Sequence, residues 1–186
     1  PDGAALGYGT RPEAHLAREW LNTEVYEGFR LADARADDVD LWGGETLLIW
    51  GPFSLQSEYM RSEVDTTFAG RRDFDGYYLY ASYCLTGESR TYEKGTGVLG
   101  PVEPSSNFSL GPARRWGARE LALRYSTIDL NDAIIRGGQE ENVTFGVNWY
   151  LNPNTRVMLN YVAGDIHHDL YEGDLNVLQA RYQIDF

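Results

Sequence analysis

The chain has 186 residues, of which 28 are acidic and 16 basic, so its formal charge is −12, and 13% of its residues are aromatic. The acidic surplus excludes a nucleic-acid-binding protein, which needs a clustered basic face. No run of about 18 apolar residues occurs, so no transmembrane helix is expected, and the single cysteine, Cys84, excludes an internal disulfide.

Apolar and polar residues alternate with a period of two along most of the chain, which is typical of β-strands with one apolar face. Few segments show a helical stripe, so the expected fold is an all-β antiparallel barrel of about eight strands, a single unit over residues 1–186. In chain order the strands are predicted at residues 11–22, 40–50, 53–64, 74–86, 116–130, 141–152, 155–165 and 174–186.

The connections between these strands differ in length. Gly51-Pro52 and residues 152–154 are tight-turn sequences, because Pro presets one dihedral angle and Asn tolerates a left-handed one. Longer acidic connections are predicted at residues 23–39, 65–73, 131–140 and 166–173. Short turns at one end and longer loops at the other are typical of an outer-membrane barrel, although the long segment 87–115 falls on the short-turn end.

The alternation alone does not distinguish a lipid-facing barrel from a soluble one, whose apolar side chains point inward. The aromatic residues favour lipid. Trp50, Trp116 and Trp149 fall at the short-turn end, as an interfacial aromatic girdle requires, and the chain closes on Phe186. Only a closed barrel allows a sheet to lie in lipid with every backbone group paired.

Four segments resemble the C-terminal half of the phosphate-selective porin family, the porins O and P. They are "GPFSLQSEYMRSEVD", "FDGYYLYASYCLTGESRTY", "WGARELALRYSTIDLND" and "NVTFGVNWYLNPNTRVMLNYV", in order within residues 42–186. The resemblance implies a sixteen-stranded barrel in the bacterial outer membrane, usually a homotrimer, that conducts anions such as phosphate and contacts lipid. This chain would be about half of that barrel, with Phe186 and the short turns at the periplasmic rim and the longer loops outside the cell.

Arginines on the polar face are the candidate anion path: Arg124, Arg156 and Arg181. An anion channel needs cations along its wall to compensate for the lost hydration of the ion. Alternatively, these arginines pair with carboxylates such as Glu58 and Glu120 and only stabilise the wall. Wall arginines in barrels commonly do both, so both interpretations stay open.

The segment "DIHHDLYEGD" is a weak candidate for a divalent-cation site, through Asp165, His167, His168 and Asp169. Its spacing matches no defined metal loop, including the EF-hand, so a solvated acidic loop is expected and no metal is predicted. His15 and the other two histidines stand in no hydrolase motif, which argues against an enzyme.

Three functions remain for such a chain, of which an outer-membrane enzyme acting on lipid would need a Ser/His pair at the rim. The first is a passive diffusion channel in the outer membrane for small anions, such as phosphate, or for small solutes in general, without a cofactor. The alternative is a small eight-stranded outer-membrane barrel that serves as a structural anchor or adhesin, because side chains would fill its interior. The N-terminus carries neither Met nor a signal-peptide pattern, so we expect a processed product or a fragment of a longer protein.

Overall fold

The computed structural model describes residues 4–14, 17, 19–24, 30–95 and 97–186. The elements in chain order are β1 (Gly9–Thr10), β2 (Leu21–Asn22), α1 (Leu31–Ala34), β3 (Ala36–Trp50), β4 (Phe53–Thr66), β5 (Gly70–Cys84), β6 (Tyr92–Glu93), β7 (Val98–Leu99), β8 (Ala118–Asp132), β9 (Ile135–Asn152), β10 (Thr155–His168) and β11 (Tyr171–Ile184). Within these ranges, no helix has the length and apolar character needed to span a membrane.

Seven long strands form one antiparallel sheet in the order β11-β10-β9-β8-β5-β4-β3. Each strand pairs with its neighbour along the chain, except that the excursion carrying β6 and β7 separates β5 from β8. Among the described strands, β3 and β11 have a partner on one side only. The all-β antiparallel prediction is confirmed, with seven strands in this sheet instead of eight.

The strand predicted at residues 11–22 is wrong for the described residues of that range. Only Leu21 and Asn22 are in a strand, which pairs with β1, while His15 lies outside the described residues. Pro12 lacks the backbone N–H that a central strand needs, which is a physical reason for the break. Instead, the described residues of 4–24, here called the inner segment, contact the inner face of the sheet, where Leu21 and Ala14 are buried.

Three of the four longer loops predicted at one end, at residues 65–73, 131–140 and 166–173, are also wrong, whereas the fourth, 23–39, lies partly outside the described residues. The β4–β5, β8–β9 and β10–β11 connections are tight turns at residues 67–69, 133–134 and 169–170. The acidic residues that suggested loops continue the alternation and pair across strands, so the strands extend to 14–18 residues. The one long connection between strands of the sheet is 85–117, at the opposite end.

The outer face of the sheet is apolar over most of its height. Leu123, Phe145 and Leu159 are all about half exposed there, whereas Glu120, Ser54 and Ser82 are buried on the inner face. This distribution reverses that of a water-soluble protein and fits an outer face in contact with lipid. Beyond the apolar band, outward carboxylates stand opposite one another on neighbouring strands: Asp75, Asp129, Glu141, Asp165 and Asp174.

Two apolar clusters cover the inner face, one near each end of the strands. Leu21 of the inner segment packs at the 133–134 end with a cluster comprising Leu31, Ala36, Val64, Phe74, Leu130, Ile135 and Ile166. At the other end, Val102 of the long connection packs against Cys84, Ala118 and Tyr150. The inner face between the two clusters carries polar side chains, and this is the region where a solute could lie.

Candidate functional site

A cavity of about 560 Å³ lies between the inner segment and the inner face of the sheet. Its lining combines four guanidinium groups with neutral polar side chains. The lining residues include Arg11, Arg90, Arg124, Arg156, Tyr80, Thr144, Asn148 and Asn160. A concave site with convergent cationic and hydrogen-bonding groups is suited to a small anion.

Arg124 of β8 points into this cavity, but it has an acidic neighbour. Its Nε lies 2.6 Å from Oε1 of Glu13 on the inner segment. The guanidinium also stands 4.2 Å from the ring centroid of Tyr78, a cation–π contact. The carboxylate partner is therefore Glu13, and the suggested pairing with Glu58 or Glu120 is wrong for this arginine. A strand prediction over residues 11–22 could not place Glu13 on top of the sheet.

Arg156 of β10 has no carboxylate partner in the described part of the chain. Its Nε and Nη2 donate hydrogen bonds of 3.2 and 2.9 Å to Oε1 of Gln183. An amide oxygen carries no formal charge to neutralise Arg156, and among the described residues Asp185, which lines a neighbouring pocket with Arg156, forms no ion pair with it. Arg156 therefore contributes positive charge to the cavity. The third candidate, Arg181, is exposed and is not among the side chains that line this cavity. The structure thus brings two of the three predicted arginines together and adds Arg11.

A buried ion pair fixes the long connection 85–117 to the inner wall. Glu120 is fully buried and accepts hydrogen bonds of 2.9 and 2.8 Å from Nε and Nη2 of Arg90, in the connection. Asn148 Nδ2 and the Tyr150 hydroxyl donate to the same carboxylate, at 2.8 and 2.9 Å. Arg90 also donates a 3.0 Å bond to the carbonyl of Gly100. Glu120 therefore has an arginine partner. That arginine lies in the long connection, so the alternation of residues along the strands could not indicate it.

The charge of Arg90 is secured by this environment. Burial works against the charged guanidinium, but nearby Tyr150 and Glu120 outweigh that effect and raise the pKa of Arg90 above its usual value. Arg90 and Glu120 therefore form a compensated pair at the edge of the cavity. The positive charge available to a solute comes from Arg11, Arg124 and Arg156.

The four residues of the predicted girdle lie at the same end of the sheet. Trp50 ends β3 with 80% of its surface exposed, and Phe186 follows β11. Trp149 is partly covered by the edge-on ring of Phe108, at 5.2 Å between centroids, and its Nε1 donates a 2.6 Å bond to the carbonyl of Trp116. An interfacial role for these residues stays a prediction.

The candidate metal residues do not converge. Asp165 and His167 lie on the outer face of β10, with 3.3 Å between Oδ2 of Asp165 and Nε2 of His167. His168 points inward and stacks on Tyr171, with 4.6 Å between the ring centroids. Nδ1 of His168 accepts a 3.1 Å hydrogen bond from the backbone N–H of Leu170. Over the described ranges, no group of three His, Cys, Asp or Glu residues is arranged to hold a metal ion.

Comparison with known proteins agrees with this architecture. The family model "Phosphate-selective porin O and P" matches residues 4–186. Porin O of Pseudomonas aeruginosa is 30% identical over 136 residues, which are 67% of this chain and 30% of that protein. An uncharacterized protein of Caulobacter vibrioides is 30% identical over 189 residues, covering 98% of this chain and 36% of that protein. The chain therefore spans about a third of the length of these relatives. With its antiparallel sheet and apolar outer face, it belongs to the phosphate-selective porin O and P family of outer-membrane proteins.

Proposed function

We propose that this chain forms part of the wall of a passive channel for small anions, phosphate among them, and that the channel has no enzymatic activity. The observation that carries the proposal is the inner-face cavity, where Arg11, Arg124 and Arg156 face a solute and Glu13 is the carboxylate that borders them. A planar guanidinium can donate two parallel hydrogen bonds to a phosphate oxyanion, which suits this ligand class.

Conduction requires that an anion be bound well enough to enter and weakly enough to leave. Arginines on different elements allow both binding and release of the anion. Each arginine replaces part of the hydration shell, and the anion can then pass to another arginine that lines the same cavity. Arg11 is on the inner segment, Arg124 on β8 and Arg156 on β10. The neutral donors Asn148 and Asn160 stand between them along the wall.

The net charge of −12 is compatible with an anion path because much of the acidic charge faces elsewhere. The outward carboxylates at the rim, described above, are separated from the cavity by the sheet. Glu120 is neutralised by Arg90. The sign of the local charge in the path, rather than the total charge, decides which ion is preferred.

The anchor or adhesin alternative has less support. An eight-stranded barrel would need its first and last strands to pair, whereas the sheet has seven strands and, among the described residues, β3 and β11 lack a second neighbour. The matched relatives are also more than twice as long as this chain. We therefore favour a larger channel embedded in outer-membrane lipid, and we propose that it assembles as a homotrimer because the family resemblance implies one.

Ion selectivity in planar bilayers tests the proposal. The Arg124→Gln/Arg156→Gln variant of the full-length protein keeps hydrogen-bonding side chains but removes two charges from the cavity. Its reversal potential should shift toward cations, most strongly at 0.01 M salt, where the Debye length is about 30 Å. Arg181→Gln is the matched control, because Arg181 does not line the cavity, and it should shift the potential less. An unchanged potential in the double variant would contradict an anion path along this wall.

A further inference from the structure

We propose that Glu13 is a selectivity-determining residue: a built-in counter-anion on the inner segment that occupies Arg124 and lowers the anion preference of the channel. The inference rests on the proposed function, because it concerns ions passing the same cavity. In this proposal the Glu13 carboxylate has two roles: it attaches the inner segment to the sheet, and it sets the local charge along the anion path.

Glu13 is where the inner segment is fastened to the middle of the wall. Its Oε1 accepts a 2.6 Å hydrogen bond from Ser126 Oγ, and its Oε2 accepts one from Thr144 Oγ1. Its backbone carbonyl accepts a 2.7 Å bond from Gln179 Nε2. The three donors come from β8, β9 and β11. One residue therefore spans much of the width of the inner face, and its position is fixed without help from Arg124.

The contact with Arg124 is of a different kind. Nε of Arg124 lies 2.6 Å from Oε1 of Glu13, but the angle is not that of a hydrogen bond, so this Nε–H has no hydrogen-bond acceptor in the described structure. The attraction is thus between charges rather than through a directed N–H donation. This nitrogen is buried, so a permeating oxyanion would meet the accessible part of the Arg124 side chain, which is 39% exposed overall. There it would compete with Glu13 for the charge of the same guanidinium.

The balance of charge makes Glu13 decisive. Arg156 has only an amide partner, and no ion pair is found for Arg11 among the described residues. Glu13 is the carboxylate in the lining of this cavity, and its side chain is 17% exposed, so water screens it incompletely. Removing its charge leaves Arg124 uncompensated and makes the cavity more positive. The amide oxygen of a glutamine can accept from one of the Ser126 and Thr144 hydroxyls, and the other hydroxyl can accept from the amide NH2.

The test uses the full-length protein in planar bilayers with a KCl gradient near 0.01 M. Glu13→Gln should raise the chloride-to-potassium permeability ratio by roughly two- to fivefold, the range expected for a partly screened charge contact. Glu19→Gln is the matched control: it removes the same charge from the same segment, where Glu19 accepts from Asn22 and not from the wall. It should change the ratio less than Glu13→Gln does.

Two further variants separate charge from attachment. Glu13→Gln/Arg124→Gln removes one charge of each sign and should return the ratio toward that of the unmodified protein. Glu13→Asp keeps the charge but withdraws it by one methylene, so it should shift the ratio in the same direction as Glu13→Gln and by less. It also serves if Glu13→Gln does not fold, which heat-modifiable migration in electrophoresis would reveal.

The outcomes distinguish the two proposals. If Arg124→Gln shifts selectivity and neither Glu13→Gln nor Glu13→Asp does, the role of Glu13 is refuted and the anion path stands. Equal shifts from Glu13→Gln and Glu19→Gln would also refute it, because the effect would then reflect the total charge of the segment. If neither arginine variant nor Glu13→Gln changes selectivity, the anion path itself is refuted, and the role of Glu13 with it.

Discussion

The ion pair between Arg90 and Glu120 should be a major anchor of the long connection 85–117. The Glu120 side chain is fully buried and that of Arg90 only 11% exposed, so solvent screens the pair little. Arg90→Met keeps an apolar stem of similar length but leaves the carboxylate with Asn148 and Tyr150 as its donors. Breaking a buried pair from one side typically costs 3–5 kcal/mol. We expect about 3 kcal/mol, the lower end, because the cavity beside Arg90 can admit water to the carboxylate.

Equilibrium urea unfolding in lipid vesicles, followed by tryptophan fluorescence, measures this cost. The matched control is Arg30→Met, which breaks the exposed pair of Arg30 with Asp33 and should not change the midpoint measurably. The double variant Arg90→Met/Glu120→Gln should lose less unfolding free energy than the sum of the two single variants, because it removes both charges and leaves no buried charge without a partner. If Arg90→Met unfolds at the same urea concentration as Arg30→Met, this pair does not hold the connection.

Two further predictions concern the faces and the orientation of the sheet. Leu159→Arg, on the exposed outer face, should cost roughly 2–4 kcal/mol in the same vesicle assay if it lies near the bilayer midplane, whereas Asn160→Arg, which enters the cavity, should cost much less; equal costs would mean that the outer face does not meet lipid. A cysteine at the exposed Asp169 should react with an impermeant thiol reagent on intact cells and one at Asn154 should not, because the 152–154 turn is predicted to be periplasmic; the opposite pattern of labelling would reverse the orientation.

The alternation of side chains predicted the strands of the wall well. The turns at Gly51-Pro52 and 152–154 are where the sequence placed them, because Pro and Asn restrict the backbone locally. Strand ends were predicted poorly. β9 begins at Ile135, six residues before the predicted start, because Gln139 and Glu141 continue the period of two although they are polar. A polar stretch at the end of a long strand has the composition of a loop but the periodicity of a strand. In this chain such residues form a strand, as their periodicity indicates.

The candidate site was only half predictable for a related reason. The alternation of polar and apolar residues indicates which face of a strand is polar. It therefore predicted that Arg124 and Arg156 lie on the inner wall. It cannot state what lies against that wall, because contacts between Glu13 and Thr144, or between Arg90 and Glu120, join residues far apart in sequence. Both partners lie in segments without regular alternation, and in each case they change the charge that a solute meets. Pro12 was the local signal: a proline inside a presumed strand removes a ladder donor and indicates that the segment does not belong to the wall. Pro12 thus separates Glu13 from the strands of the sheet, and the displaced carboxylate is then able to contact Arg124 on the inner wall.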